Sequence, residues 1–215
     1  YTAIKLGFFL RSDLEKGFVI QKITMQIIAE NKIEIMRARA EILGEKISGF
    51  AEFVEYQIDT QILVEVLVKL KGDSNNLKIG KHAVHIHEKA DCSGTFKCAG
   101  GHFDPGPAGN SDPDFNHPFH AGDLPNIVIK QQGEGESGGE SMGELKTVTT
   151  RFTLSAGPLS ILETAEYLNH DGSKSIGTAI MIHANEDLYK SGPSGSGIRG
   201  GPRLACGLIK KMDSK

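Results

Sequence analysis

The segment QILVEVLVKLKG alternates with a period of two, placing Ile62, Val64, Val66, Val68 and Leu70 on one side and Glu65, Lys69 and Lys71 on the other. A backbone whose side chains change face at every residue is a β-strand, and one apolar face against one charged face marks a half-buried antiparallel strand. The same period runs through Ala38, Ala40 and Ile42 against Arg37, Arg39 and Glu41, with Gly44 and Gly49 as punctuation. Apolar runs at NIVIK, LKTVTTRFTL and TAIMIHA predict further strands, and no long helical period interrupts them. The fold class is therefore all-β, closed as a sandwich or barrel, the natural arrangement for this many short strands.

With 215 residues and 39% hydrophobic content, the chain can bury a core of its own without several disulfides. Residues 1–35 mix charged and β-branched side chains without a sustained period and read as an N-terminal appendage, which leaves residues 36–215 as the folded domain. The run GFFL is cut short by Arg11, Asp13, Glu15 and Lys16, so it is too brief for a signal-peptide core or a bilayer span. The chain starts at Tyr1, which leaves room for a leader ahead of it, and Met25 and Met36 are each candidate starts. A net charge of −3 without a polybasic tract argues against nucleic acid and anionic membrane as partners, and the absence of Trp against a base-stacking surface. The expected partner is small. Two Gly/Ser-rich stretches, QGEGESGGESMGE and SGPSGSGIRGGP, read as flexible connectors, and the Asp/Pro/Asn-rich segment after His102 as a long loop of the kind that carries function on a rigid scaffold.

Six of the eight histidines lie between His82 and His120, and a seventh, His183, follows an apolar stretch. Such clustering points to metal. Imidazole serves both copper and zinc, while Asp123, three residues after His120, adds an oxygen that zinc accepts more readily. If HAVHIHE is a strand, His85 and His87 face one ion and Ile86 packs on the other side, with His82 pointing away. A His-x-His pair also serves cupins and zinc hydrolases. The hydrolase pattern H-x-H-x-D-H is absent, since Glu88, Lys89 and Ala90 follow, no glutamate stands at the cupin spacing, and a mononuclear zinc hydrolase finds no general base beside the pair. His82 reads as a residue that holds backbone near the site, and His170, in the turn NHDGS, as solvated.

The motifs HIHEKADC, AGGHFDP, HAGDLPN, IMIHANED and GPRLACG, in that order, resemble copper/zinc superoxide dismutase of the bacterial type, over roughly Met36 to the C-terminus. The resemblance implies a Greek-key β-barrel of immunoglobulin-like sandwich architecture with long metal-binding and channel loops. It implies conversion of superoxide to dioxygen and hydrogen peroxide by copper redox cycling, with zinc in support. His85, His87 and His183 resemble copper ligands. His102 matches the histidine that bridges copper and zinc, with both ring nitrogens deprotonated between the two cations, and that releases copper and carries a proton during the cycle. His120 and Asp123 resemble zinc ligands, and Asp187 the carboxylate that hydrogen-bonds one copper and one zinc histidine. Arg203, before LACG, resembles the channel arginine that guides the substrate anion, and Lys190 and Arg199 are expected to extend its field.

One position departs from the family pattern. The remaining zinc histidine usually lies about midway between the bridging histidine and the next, where this chain reads AGNSDP. His117 takes the role, with Asp112 and Asp114 as substitutes. Cys92 and Cys206 occupy the family's disulfide positions, and a bridge over so long a loop contributes on the order of 4 kcal/mol by the chain-entropy model. Cys98 is left as a free thiol or a competitor for Cys206. A structural disulfide suits a periplasmic or extracellular setting, with the cytoplasm as the alternative, and a homodimer is compatible with the family. The competing function is a copper-binding or copper-delivery relative without turnover. Its mark, a missing copper histidine or channel arginine, is not found in this sequence.

Overall fold

The computed structural model describes residues 32–106, 109–112, 117–132, 139–163, 167–168, 172–193, 196 and 198–213. Residues 1–31, Asp114 and His170 lie outside them, and with them most of the expected appendage. The chain opens with three long antiparallel strands, β1 (Lys32–Gly44), β2 (Ile47–Ile58) and β3 (Gln61–Asp73). Of residues 32–35, read from sequence as the end of the appendage, 32–34 already pair with β2 and Ile35 sits at a register shift. Then follow β4 (Gly80–His82), β5 (Val84–His87), β6 (Ile127–Gln131), β7 (Glu140–Thr149), β8 (Tyr167–Leu168), β9 (Lys174–Ser175), β10 (Ala179–His183), β11 (Arg203–Leu208) and β12 (Lys210–Lys211). Among the described residues the one helical turn is Lys97–Ala99.

Ten strands form one sheet in the order β4-β6-β7-β3-β2-β1-β11-β10-β5, with β12 on β1, while β8 and β9 pair apart. The two ends of that path, β4 and β5, are separated in the chain by Ala83 alone, so the sheet wraps into a nearly closed barrel. Because β3 neighbours β7 instead of β4, the connection is of the Greek-key kind. Alternation dictates the interior. Val64, Val66, Val68 and Leu70 of β3 are buried with Ala38, Ala40 and Ile42 of β1, Phe53 of β2 and Ile127 and Ile129 of β6. A one-residue slip of β3 would drive Lys69 and Lys71 inward, so each buried aliphatic, contributing about 1.5–3 kcal/mol, also fixes the register. Glu55 is the exception on the inner face of β2. Its buried side chain accepts N–H bonds from Leu154 and Ser155 through Oε2, a clasp on the segment after β7.

Two boundaries differ from the sequence reading. Strand β7 starts at Glu140, inside the stretch read as a connector, because Glu140 and Met142 extend the ladder opposite Asp73 and Lys71 and the buried Ser141 hydroxyl donates to Leu77 O (2.6 Å). It ends at Thr149, so the residues after it in LKTVTTRFTL leave the ladder and fold over the barrel end, where Phe152 meets Phe53 edge to face at 6.4 Å. HAVHIHE is likewise not one strand. It breaks at Ala83, and its two parts lie at opposite ends of the sheet path.

Candidate metal centre

Strand β5 pairs with β10 on one edge only, and the long loop after His102 occupies the other. Ile86 N–H donates to Gly122 O (2.8 Å), Phe103 N–H to Ile86 O (2.8 Å), and Leu124 N–H to Val84 O (3.2 Å). This stitching lays Asp123 opposite His85 and His102 opposite His87. Gly122 is required, since a Cβ there would lie 2.4 Å from Ile86 O. Ile86 enters the barrel core and both flanking imidazoles leave it, as alternation demands. His183 ends β10, where a register shift against β11 turns it toward the same point. Gly200 backs it at a φ of 108°, with any Cβ only 2.6 Å from that of His183.

Two buried groups result, His85, His87, His102 and His183 in one and His102, His117, His120 and Asp123 in the other, each with its ligand atoms within 4.8 Å of one another. His102 belongs to both; its ring lies 4.1 Å from that of His85 and 5.0 Å from that of His120. In the first group the outward nitrogen of three rings is engaged: His85 Nε2 with Asp187 Oδ2 (3.0 Å), His87 Nδ1 with Gly100 O (2.9 Å) and His183 Nδ1 with Gly201 O (2.9 Å). An oxygen acceptor fixes the proton on that nitrogen. The opposite atoms, His85 Nδ1, His87 Nε2 and His183 Nε2, are buried without a hydrogen-bond partner. Buried lone pairs left this way are costly unless a cation takes them, so the four imidazoles fit copper.

The second group surrounds a carboxylate. Asp123 Oδ1 lies 2.8 Å from His102 Nδ1, and Oδ2 lies 2.9 Å from His120 Nδ1 and 3.2 Å from His117 Nδ1, the last contact lacking hydrogen-bond geometry. Three imidazoles and one carboxylate are a donor set suited to zinc. Asp187 joins the groups, with Oδ2 on His85 and Oδ1 on His117 Nε2 (2.8 Å). The structure thus brings His117 into the cluster, whereas Asp112 is exposed.

Burial and the neighbouring imidazoles hold His87 and His183 well below the ordinary histidine range and push His102 down to about 3. Such rings are neutral and ready to ligate at neutral pH. Burial opposes a charge on His117 too, but Asp123 and Asp187 outweigh it and raise this histidine to about 9. The same histidine bonds outweigh burial at Asp123 and Asp187 and keep both below the usual carboxylate range.

Arg203, opposite His183 in the β10–β11 ladder, donates to Phe96 O and to Gly100 O (2.6 Å). Gly100 O also receives the His87 Nδ1 bond, so one carbonyl ties the half-buried cation to the four-imidazole group. The segment carrying both carbonyls is pinned to β11 by the Cys92–Cys206 disulfide, with a Cα–Cα distance of 5.8 Å, and Cys98 is a partly exposed free thiol. Of the two cations expected to extend the field, Lys190 is exposed, but Arg199 is 5% exposed and forms a β-bridge with Asp187. His82 sits between Lys78 O (2.7 Å) and His183 O (2.8 Å), the backbone role read for it. Sequence reasoning missed Asn126, which donates to Asp187 O (2.9 Å) and accepts from Asp187 N–H (2.8 Å). It stands in the HAGDLPN motif, yet its partner lies 61 residues away.

The family model described as copper/zinc superoxide dismutase (SODC) matches residues 47–209. A superoxide dismutase [Cu-Zn] of Deinococcus radiodurans is 31% identical over 188 residues, covering 81% of this chain and 85% of that protein. Superoxide dismutase [Cu-Zn] 2 of Aquifex aeolicus is 30% identical, covering 87% of this chain and 94% of its own length. An extracellular superoxide dismutase [Cu-Zn] of Caenorhabditis elegans is 29% identical, covering 93% and 80%.

Proposed function

The chain belongs to the copper/zinc superoxide dismutase family and has its activity and its two metals, and we propose how its residues share the reaction in which two superoxide anions and two protons give dioxygen and hydrogen peroxide. His85, His87, His102 and His183 hold copper, and His102, His117, His120 and Asp123 hold zinc. When bound, copper supplies the one-electron couple that oxidises one superoxide and reduces the next, and zinc supplies a fixed positive charge. His102 is the proton carrier. With Nδ1 beside Asp123, its Nε2 is the atom left to face the copper group, where it takes up and returns a proton within reach of the substrate oxygen. Asp187, Gly100 O and Gly201 O keep the other three rings in the ligating tautomer. Arg203 draws the anion in, and its two carbonyl bonds stop the guanidinium from swinging onto the substrate.

The observation that carries this reading is the set of three buried, unpartnered nitrogens on His85, His87 and His183. All four copper histidines and Arg203 are in place, so nothing favours a relative without turnover. Elemental analysis of the purified protein should give copper and zinc in about equal amounts. Zinc alone, with no superoxide-dependent activity after copper addition, would sink the assignment.

Among the described residues no helix is long and apolar enough to cross a membrane. The disulfide suits a location outside the cytoplasm, and our reading places the enzyme in the periplasm or outside the cell. We read residues 36–215 as the catalytic domain, with its first strand running on from the preceding segment. A homodimer would use exposed apolar residues such as Val128 and Met142 on β6 and β7, and the chain's net charge of −3 gives nucleic acid no footing.

A further inference from the structure

The turn that carries two zinc ligands, from His117 to His120, is held from outside by side chains that are not ligands. Ser191, in the segment after β10, donates its hydroxyl to His117 O (2.6 Å). Arg151, two residues past β7, donates through Nη1 to Pro118 O (3.0 Å) and more weakly to His120 O (3.4 Å). The base of Arg151 is itself fixed, because its backbone N–H donates to Thr149 Oγ1 (3.1 Å). Apolar packing does little for this turn. Phe119, between the two ligands, is 69% exposed. Among the described residues the turn pairs with no strand, and His117 and His120 reach one carboxylate only if the three residues after His117 keep one path.

We propose that Arg151 and Ser191 are positioning residues for zinc: by holding the carbonyls of His117, Pro118 and His120 they keep two ligand rings pointed at Asp123 before and during metal binding. The proposal rests on the zinc assignment above. Arginine is suited to the task because one cationic nitrogen can share two carbonyls and charge-assisted bonds survive partial exposure better than neutral ones. The competing reading is an ordinary solvated arginine, which would leave the zinc site unchanged when removed.

The test is the rate at which the metal-loaded full chain gives zinc to a colorimetric chelator, together with the visible spectrum of protein carrying cobalt in place of zinc. Arg151→Ala should release zinc about tenfold faster, in the range expected for outer partners of metal ligands, with unchanged copper content and a shifted cobalt spectrum. Arg151→Lys should recover part of both effects. Ser191→Ala, which removes one hydroxyl, should release zinc a few fold faster and serves in case Arg151→Ala does not fold. Wild-type release and an unshifted spectrum in Arg151→Ala, or in Ser191→Ala if it alone folds, would overturn the proposal, whatever the change in melting temperature. His120→Ala separates the two readings. If it keeps zinc like the wild type, the ligand assignment fails; if it loses zinc while Arg151→Ala and Ser191→Ala do not, only the positioning role fails.

Discussion

His85 and His87 stand on β5 and His183 at the end of β10, paired strands of the barrel, whereas His117, His120 and Asp123 stand on a loop attached to the edge of β5. The orienting partners differ in the same way. Backbone carbonyls of Gly100 and Gly201 hold two rings of the four-imidazole group and Asp187 holds His85, while the rings of the other group face the carboxylates of Asp123 and Asp187. Burial and neighbouring imidazoles keep His87, His183 and His102 uncharged, His102 even beside Asp123, whereas His117, set between two carboxylates, is raised to about 9. The proposed copper half therefore takes its shape mainly from strands and carbonyls, and the proposed zinc half from carboxylates whose charge a cation would balance.

Four substitutions probe that division. His183→Ala, the largest expected effect, should cut dismutase activity by more than the ~100-fold that loss of an outer partner brings. Zinc content should stay near the wild-type level, and its loss along with copper would show that the halves are one unit. Cys206→Ser removes a bridge between residues 114 apart. It should lower unfolding free energy by about 5 kcal/mol on the chain-entropy model, read by denaturant titration. The copper half should feel it first, because the freed segment carries the carbonyls that hold Arg203 and His87.

Asp187→Leu tests the carboxylate that links His85 of the first group to His117 of the second. Affinity for each metal should fall about 10–100-fold in competition with chelators. A loss confined to zinc would mean that β5 alone orients His85. Arg203→Ile should leave both metals bound and lower the second-order rate constant about tenfold, the low end of what electrostatic steering supplies. The wild type should slow with added salt more than the variant, since screening shortens to about 8 Å at physiological ionic strength. Equal rates and salt slopes in both would reduce Arg203 to a structural cation held by Phe96 and Gly100.

Much of the copper half was legible in the residues themselves. His85 and His87 are two apart on a strand, and strand geometry then leaves them no choice but to share a face. The turn from His117 to His120 was not legible in the same way. Whether His117 or a nearby aspartate approaches Asp123 depends on Asp187, 70 residues further on, and on carbonyl contacts that no spacing rule encodes. The burial of Arg199 was not legible for a related reason: its backbone pairs with that of Asp187, a contact that the Gly-rich stretch before it does not announce.

By itself the sequence determined the strand periods, the motif order, the likeness to one family and the chemical kinds of ligand present, because these follow from side-chain identity and local spacing. The tertiary structure decided how the barrel closes between β4 and β5, which ring nitrogen is bare, which carbonyl holds Arg203 and how Asp187 spans both groups. Each of those depends on contacts between segments far apart in the chain, and such contacts exist only once the core has fixed where every strand ends.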